Sequence, residues 1–185
     1  DAAAFTKFLR KEFCGRVSEI IGKVNRVKVK DGIIQSINVN KSDIYADLFI
    51  DCTGQKSLLI KETNNVFNSF DTLVTDSALV IKTDYQNKER EMVPYTNAKG
   101  MSSGWQWTIP TYDYISRGYV FSSQFQSENS AREEFGYDDA RLVKFRNGRF
   151  DRAWVGNCVS IGLSYGFIEP LESTGLFNTH HGILA

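Results

Sequence analysis

The dipeptide Asp31-Gly32 lies between two stretches, residues 24–30 and 33–39, in which apolar residues recur at nearly every second position. Alternation of this kind puts the apolar side chains on one face of a strand. Asp-Gly readily adopts the backbone conformation of a two-residue turn, and it is a strong short-range signal for a hairpin. The sequence therefore predicts an antiparallel pair of strands in this part of the chain.

A second alternating stretch, GWQWTIP, places Trp105, Trp107 and Ile109 on one face of a strand and polar residues on the other, until Pro110 ends it. The stretch RGYVFSSQFQS predicts its antiparallel partner, and Ser127 is a candidate cap for a short helix that follows. Tryptophans at this spacing are more often core residues than pocket residues, and both interpretations stay open for this strand.

A helix at the N-terminus and a buried strand near residue 50 are also predicted. The stretch DAAAFTKFLRKEF has the apolar spacing of an amphipathic helix, with Asp1 as its candidate N-cap. Residues 48–50 form a continuous apolar run, as in a strand that is buried on both faces. The run leads into residues 51–54, DCTG, where the glycine would let the backbone approach a ligand closely. A plain turn after a buried strand is the simpler explanation.

The overall composition is that of an ordinary globular domain, with 185 residues of which 42% are hydrophobic and 24% charged. The 22 basic and 22 acidic side chains cancel, so charge gives no reason to expect nucleic acid or an anionic membrane as a partner. No apolar run approaches the roughly 18 residues of a membrane helix, and nothing resembles a signal peptide. We therefore expect a cytoplasmic protein.

The three cysteines, Cys14, Cys52 and Cys158, are far apart and odd in number. Because they lack a C-x-x-C spacing, they are predicted to be reduced, buried thiols of a cytoplasmic protein. The chain begins with Asp1 directly before a helical pattern and stops within another such pattern, which suggests an internal fragment of a longer protein.

The segment FIEPLESTGLF, residues 167–177, combines two carboxylates with a predicted helix start. Pro170 disfavours helix before it, and a helix that begins near residues 173–176 would direct free backbone N–H groups at the preceding loop. Glu172 and Ser173 can be plain capping residues. Alternatively, an anion or a cofactor oxygen binds at the N–H groups, with Glu172 as a positioned base or electrostatic partner.

A metal site is not expected. The adjacent residues His180 and His181 point about 100° apart on a helix, so they do not easily ligate one ion from one face. The sequence contains no C-x-x-C, H-x-x-x-H or H-E-x-x-H spacing, and it has no G-x-G-x-x-G, P-loop or G-x-S-x-G motif.

Several segments, taken together, resemble the flavin-dependent tryptophan halogenases. These segments are ADLFIDCTG, PYTNAKGMSSGWQWTIP, GYVFSSQF and RAWVGNCVSIGLSYGFIEPLESTG, and the N-terminal DAAAFTKFLR is similar to a helix of the same family. The pattern W-x-W-x-I-P commonly separates these halogenases from flavin monooxygenases, and E-P-L-E-S-T-G follows it in the family's order. A flavin monooxygenase that keeps the fold, and a non-catalytic flavin-binding homologue, are the alternatives.

The resemblance implies a mixed α/β (α+β) fold, namely part of an FAD-binding, glutathione-reductase-like domain with an inserted antiparallel sheet that helps to form the substrate region. Residues 1–60 and 150–185 would then belong to the FAD-binding part, and residues 61–149 to the sheet on the substrate side. All of 1–185 would lie inside one halogenase domain, whose glycine-rich nucleotide loop and essential lysine are expected upstream of Asp1.

The resemblance also implies an activity. Reduced FAD, supplied by a separate flavin reductase, would react with O2 and a halide ion, chloride or bromide, to give hypohalous acid. This would halogenate tryptophan, another indole or an electron-rich arene. In the family's pattern Glu172 matches the catalytic glutamate, and Thr174 and Gly175 match the chloride-binding positions. A homodimer is among the assemblies that the family allows.

The same resemblance assigns flavin contacts. Leu163 and Leu176 match flavin-contacting positions, and similarity to the wider glutathione-reductase-like flavoproteins makes Val24 a candidate for contact with the adenine. The step V-G-N-C puts Asn157 where related hydroxylases carry the acid of a G-D step, so a direct hydrogen bond from that position to the ribityl chain is not expected. Glu169 is predicted to be structural support.

Overall fold

The computed structural model describes residues 2–171 and 174–184. The helices are α1 (Ala2–Phe13), α2 (Lys88–Glu91), α3 (Glu128–Phe135) and α4 (Thr174–Leu184). The strands are β1 (Val24–Lys30), β2 (Ile33–Val39), β3 (Ser42–Ile44), β4 (Phe49–Asp51), β5 (Phe67–Ser69), β6 (Ser77–Thr83), β7 (Asn97–Met101), β8 (Gly104–Pro110), β9 (Ile115–Phe121), β10 (Arg141–Lys144), β11 (Gly148–Phe150), β12 (Trp154–Val155), β13 (Cys158–Ser160) and β14 (Gly166–Phe167). Short 3-10 turns occur at Gly54–Lys56, Ile60–Glu62 and Gly162–Ser164.

The chain forms two compact units, each made from two stretches of sequence. The first unit comprises Asp1–Ile21 and Thr75–Lys144, and the second comprises Gly22–Val74 and Phe145–Ala185. In the part of the chain that the structure describes, no helix is long and apolar enough to cross a membrane. The mixed α/β fold with several antiparallel sheets is the predicted one.

The first unit is built on an antiparallel sheet of five strands in the order β10-β6-β9-β8-β7. The pairing of β8 with β9 confirms the predicted antiparallel partner of the tryptophan strand. The predicted helix follows as α3, and the side chain of Ser127 accepts a hydrogen bond from the N–H of Ser130 at 3.3 Å, as an N-cap does.

Of the two tryptophans of β8, Trp107 has small residues opposite it on both neighbouring strands. Trp107 is opposite Gly118 on β9 and Ala98 on β7, and Trp105 is opposite Gly100 on β7. A Cβ atom on Gly118 would lie only 2.0 Å from Cζ2 of Trp107. The indole ring can therefore cross the face of the sheet because position 118 has no side chain.

The opposite face of this sheet carries the core of the first unit, with Tyr119 at its centre. Tyr119 is completely buried, and its ring packs near those of Phe121 and Phe135 at centroid distances of 5.6 and 6.2 Å. Its hydroxyl oxygen lies 2.5 Å from Oε1 of Gln126 and 2.8 Å from Oε2 of Glu134. Desolvation, together with the hydrogen bond to Glu134, raises the pKa of Tyr119 to about 12, so the hydroxyl stays protonated.

Glu134 joins α3 to the turn between β7 and β8. Its Oε1 accepts hydrogen bonds from the N–H and the hydroxyl of Ser102, at 2.9 and 2.7 Å, and Oε2 accepts one from Nε2 of Gln126 at 2.8 Å. Desolvation raises the pKa of the Glu134 carboxyl, but these donors and the Tyr119 hydroxyl outweigh it, and the pKa falls to about 2.

The second unit contains three small sheets, with strand orders β1-β2-β3, β14-β11-β5 and β12-β13-β4. The predicted hairpin is confirmed as β1 and β2, and the turn residues Asp31 and Gly32 have φ values of 52° and 78°. Two consecutive positive φ values are typical of the tight turn that Asp-Gly favours. The core is formed by Ile34, Phe49, Leu59, Ile60, Phe150, Val155 and Cys158.

The prediction that β4 is buried on both faces is wrong. Phe49 and Asp51 are buried, whereas Ile50 is 56% exposed and Cys52 is also exposed. Successive side chains of a strand point to opposite faces, so Ile50 and Cys52 share the face that the core of the second unit does not cover. The same alternation explains why Cys52 is not the buried thiol that the sequence suggested.

The other cysteines differ from each other. Cys158 is buried in the core, and its pKa is raised to about 12, first by desolvation and then by the nearby charge of Asp51, so it remains a thiol. Cys14 is exposed because it directly follows α1, whose described side chains are themselves exposed. All three are free, as predicted, but only Cys158 packs in a core. Asn87 caps the short helix α2, since its side chain accepts a hydrogen bond from the N–H of Arg90.

Replacing Gly118 with alanine tests the packing of the tryptophan strand. We expect Gly118→Ala to lower the free energy of unfolding by about 2 kcal/mol, because the new methyl group overlaps the ring of Trp107. Urea unfolding followed by tryptophan fluorescence measures the change. Gly100→Ala is the matched control, since a Cβ atom there would have nothing within 4 Å. Equal stabilities of the two variants would contradict this account.

Glu134 should make the first unit acid-sensitive. Its folded pKa of about 2 lies below the ordinary 4.5, so its contribution to stability is complete above pH 4.5 and is lost as pH falls towards 2. Because the side chain is exposed, we expect Glu134→Gln to cost only about 1 kcal/mol at pH 7 and nothing near pH 2. Unfolding curves across this pH range measure it. The exposed neighbour Glu133→Gln should change neither value, and a pH-independent cost of Glu134→Gln would refute the linkage.

Candidate functional site

The carboxyl ends of two parallel strands, β4 and β13, meet at one edge of the second unit. Phe49 pairs with Cys158, and Asp51 pairs with Ser160. In sheets with parallel strands, ligands bind beyond the carboxyl ends of the strands. The candidate site is therefore the edge formed by residues 52–54 and 161–164, which follow β4 and β13 directly.

The side chain of Asp51 organises the chain that leaves β4. Asp51 is completely buried, and each carboxylate oxygen accepts two hydrogen bonds. Oδ1 accepts from the N–H and the hydroxyl of Thr53, at 2.9 and 2.6 Å. Oδ2 accepts from the N–H groups of Leu59 and Ile60, both at 2.9 Å. These hydrogen-bond donors compensate the carboxylate within the protein. Since they all belong to residues 53–60, the loop is folded around the Asp51 side chain.

The backbone of Asp51 fixes the second half of the edge. Its carbonyl oxygen accepts hydrogen bonds from the N–H of Ile161, at 3.0 Å, and from the hydroxyl of Ser164. Between these donors, Gly162 has a φ of 68°, a conformation that suits glycine. A Cβ atom at Gly162 would lie 3.0 Å from Oγ1 of Thr179, so the turn Gly162–Ser164 packs closely against α4.

The start of α4 is tied to the loop before it. The hydroxyl of Thr174 donates to the carbonyl oxygen of Glu169 at 2.8 Å, and Oε2 of Glu169 accepts from the N–H of Leu171 at 2.9 Å. These contacts are of the structural kind predicted for Glu169. The first N–H groups of a helix have no acceptor within the helix. Because the Thr174 hydroxyl donates its hydrogen to Glu169, the donors that the described residues of this turn can offer an anion are backbone N–H groups.

The predicted site residues that the structure describes lie on three different elements of the second unit. Leu163 lies in the turn at the carboxyl end of β13 and is 43% exposed, and Leu176 lies in the first turn of α4 and is 67% exposed. Thr174 and Gly175 begin the same helix. Val24 lies in a different sheet, at the first residue of β1.

Three residues that the sequence singles out lie outside the described part of the chain. These are Asp1, a candidate N-cap, Glu172, the predicted catalytic residue, and Ser173, a candidate for capping. Their predicted roles stay predictions.

Asn157, which replaces the acid of the G-D step of related hydroxylases, lies away from the candidate edge. It precedes β13, whereas the candidate edge follows that strand, where Gly162 and Leu163 stand. The side-chain amide of Asn157 accepts from the N–H of Ile34 and donates to its carbonyl oxygen, both at 2.9 Å. Asn157 therefore joins the strand β2 to the turn before β13, and its hydrogen-bonding groups face the backbone of the hairpin.

A largely apolar cavity of about 510 Å³ adjoins the turn Gly162–Ser164. Its lining includes Trp154, Ile161, Phe167 and His181. The ring of His181 lies 4.4 Å from that of Phe177, one helical turn earlier on α4. Within residues 2–171 and 174–184, no group of three histidine, cysteine or acidic residues could hold a metal ion.

The sequence did not reveal the role of Asp51, although one signal for it was present. An aspartate two residues before a threonine favours a local turn in which the carboxylate accepts hydrogen bonds from the backbone. The partners at Leu59 and Ile60 are backbone groups and leave no trace in the sequence. The candidate pocket role of the tryptophans stays open as well, since Trp105 and Trp107 are both half-buried in the first unit.

Comparison with known proteins gives a uniform result. The sequence model of a family described as tryptophan halogenase matches residues 1–185. Tryptophan 6-halogenase SttH of Streptomyces toxytricini is 38% identical over 196 residues, which cover 99% of this chain and 38% of the relative. Tryptophan 7-halogenase RebH of Lentzea aerocolonigenes is 38% identical over 192 residues, which cover 96% of this chain and 36% of the relative.

Solved structures agree with the sequence relatives. The structure of BrvH, a flavin-dependent halogenase from Brevundimonas sp. BAL3, superimposes with a TM-score of 0.90 at 33% identity, over 100% of this chain and 40% of that one. The chain thus spans well under half the length of the relatives that it matches.

Replacing Asp51 with asparagine tests its organising role. One of the two oxygens then becomes an NH2 group that faces N–H donors, so we expect a loss of about 3 kcal/mol in the free energy of unfolding. Denaturant unfolding measures the loss. Asp47→Asn, an exposed aspartate just before β4, should have little effect. A similar small effect of both substitutions would show that the buried carboxylate does not organise the loop.

Proposed function

This chain belongs to the tryptophan halogenase family, and on that premise we propose that the whole protein is an FAD-dependent halogenase that acts on tryptophan or another electron-rich arene. The observation that carries the proposal is the family match over all of residues 1–185, together with relatives at 38% identity that are themselves tryptophan halogenases. A separate flavin reductase would supply the reduced cofactor.

The edge beyond β4 and β13 fits a flavin. The exposed side chains of Leu163 and Leu176 offer apolar contact, and Gly162 adds no side chain of its own to this edge. We assign residues 1–60 and 150–185 to the FAD side, and residues 61–149, which include the five-stranded sheet, to the substrate side. Reduced FAD, when bound, would supply two electrons to O2, and the halide would supply two more as it becomes hypohalous acid. The role of the protein at this edge is to bind and orient the cofactor.

The first turn of α4 is the proposed halide seat. Backbone N–H groups at Thr174 and Gly175 would donate to the anion, and the partial positive charge of the helix N-terminus favours it. The hydrogen bond from the Thr174 hydroxyl to Glu169 fixes the start of the helix, so these N–H groups are held in place before an anion arrives. Two residues earlier in the chain, Glu172 would polarise the halogenating species or accept the proton that the aromatic ring loses.

A product assay tests the proposed function. The full-length protein is supplied with FAD, a flavin reductase, NADH and O2, with sodium chloride or bromide and with tryptophan, indole or phenol. Mass spectrometry is expected to show a halogenated product whose isotope pattern follows the halide used. Hydroxylated product without halogenated product would overturn the proposal in favour of a monooxygenase, and flavin binding without either product would favour a non-catalytic homologue.

The variant Glu172→Gln tests the catalytic assignment within the full-length protein. Glutamine keeps the size and the capping ability of the side chain but cannot accept a proton, so we expect halogenation to slow by a factor of about 10²–10⁴. Product formation under single-turnover conditions measures the rate. Glu169→Gln is the matched control, because its remaining oxygen can still accept from Leu171, and its rate should stay near normal. A near-normal rate for Glu172→Gln would return that residue to a capping role.

A further inference from the structure

A polar groove of about 360 Å³ lies on the core-side face of the five-stranded sheet, away from the tryptophans. Gln106 and Thr108 of β8 and Arg117 of β9 are among its lining residues, and α2 contributes Arg90 and Glu91. The volume is within the range of small-molecule sites. The whole groove belongs to the first unit and to described residues.

Arg117 is the central group of the groove. It is half-buried on an inner strand, where its Nε donates to the hydroxyl of Thr83 at 3.1 Å and its Nη1 donates to that of Thr108 at 3.4 Å. A guanidinium has five N–H donors, so two hydroxyl acceptors leave part of it unsatisfied. Among the ion pairs of the described residues, none includes Arg117. Because the side chain is only half-buried, water reaches the remaining N–H groups, and an oxyanion can take the place of that water.

The rest of the lining increases the positive charge. Arg90 and Lys99 are exposed cations of the groove, and neither takes part in an ion pair with another described residue. Glu91 is the acidic residue among the lining residues. Its Oε2 accepts from the N–H groups of Gln86 and Asn87, at 2.8 and 2.9 Å, so this carboxylate is engaged by the backbone at the start of α2. Three cations therefore face one acid that already has donors.

We propose that this groove binds the oxyanion of a small organic molecule, a carboxylate or a phosphate, with Arg117 as its main ligand. A guanidinium matches the two oxygens of such a group, and a charge-assisted pair of this kind is about twice as strong as a neutral hydrogen bond. The two threonine hydroxyls hold the guanidinium in position before the anion binds. The amide of Gln106 and the remaining volume accommodate the body of the molecule. The proposal goes beyond halogenation and does not depend on it.

Equilibrium binding to the full-length protein tests the groove. The probes are benzoate, phenyl phosphate and the neutral analogue benzyl alcohol, titrated at millimolar concentrations in a non-coordinating buffer. Binding of benzoate or of phenyl phosphate, with benzyl alcohol at least tenfold weaker, is expected, and the stronger of the two anions identifies the class of oxyanion. Equal binding of the neutral analogue, or binding of none of the three, would overturn the proposal.

Variants locate the binding. Arg117→Met should lower the affinity for the anion at least tenfold. Arg117→Lys keeps the charge but not the planar fork, so its affinity should lie between those of the wild-type protein and Arg117→Met. Arg141→Met is the matched control, since Arg141 is an exposed arginine of the same sheet that does not line the groove, and it should bind normally. The exposed residue Lys99 gives a second test that spares the inner strand, and Lys99→Met is expected to weaken binding about threefold. Unchanged affinity in both Arg117→Met and Lys99→Met would refute the site.

Discussion

A single buried carboxylate holds together the part of the molecule on which the proposed chemistry depends. Asp51 lies at the end of β4, accepts four hydrogen bonds through its side chain, and accepts two more through its carbonyl oxygen from the turn that follows β13. The two strands therefore end in loops that share one residue as their common acceptor. Residues 52–60 and 161–164 contain no other carboxylate. The hydrogen bonds of Asp51 therefore fix the positions of both loops, including that of Leu163.

The first unit is organised differently: one face of its sheet carries the tryptophans, and the other face carries the core. On one face Gly118 has no side chain, so the ring of Trp107 can lie across the sheet there. The other face buries Tyr119, whose hydroxyl connects to Glu134 and so to the turn that leads into the tryptophan strand. A substitution in α3 can therefore reach β8 through hydrogen bonds, without any contact with the tryptophans themselves. The polar groove lies on this second face, where Arg117 stands two residues before Tyr119 on β9.

The sequence predicted the elements better than it predicted their connections. Hairpins, caps and strand pairs such as β1–β2 and β8–β9 depend on local alternation and on turn residues, and these are visible in the sequence. The partners of Asp51 and Asn157 are backbone groups of distant residues, which carry no side-chain signal, so neither role was predicted. The exposure of Ile50 was missed because a short apolar run has the same appearance whether one face or both are covered. Arg117 was missed because one arginine in a strand is unremarkable until its lack of an acidic partner is seen.

The attachment of Asn157 to Ile34 has a consequence for how this unit tolerates change. The side-chain amide of Asn157 makes the same pair of hydrogen bonds that a neighbouring strand would make, since it both donates to and accepts from the backbone of one residue of β2. The joint itself therefore does not depend on which side chain stands at position 34, because both of its hydrogen bonds go to backbone atoms of that residue. Position 157 has no such freedom: aspartate lacks the donor, and glutamine has the same amide on a longer stem. The contact therefore requires asparagine at position 157 but requires only a backbone at position 34.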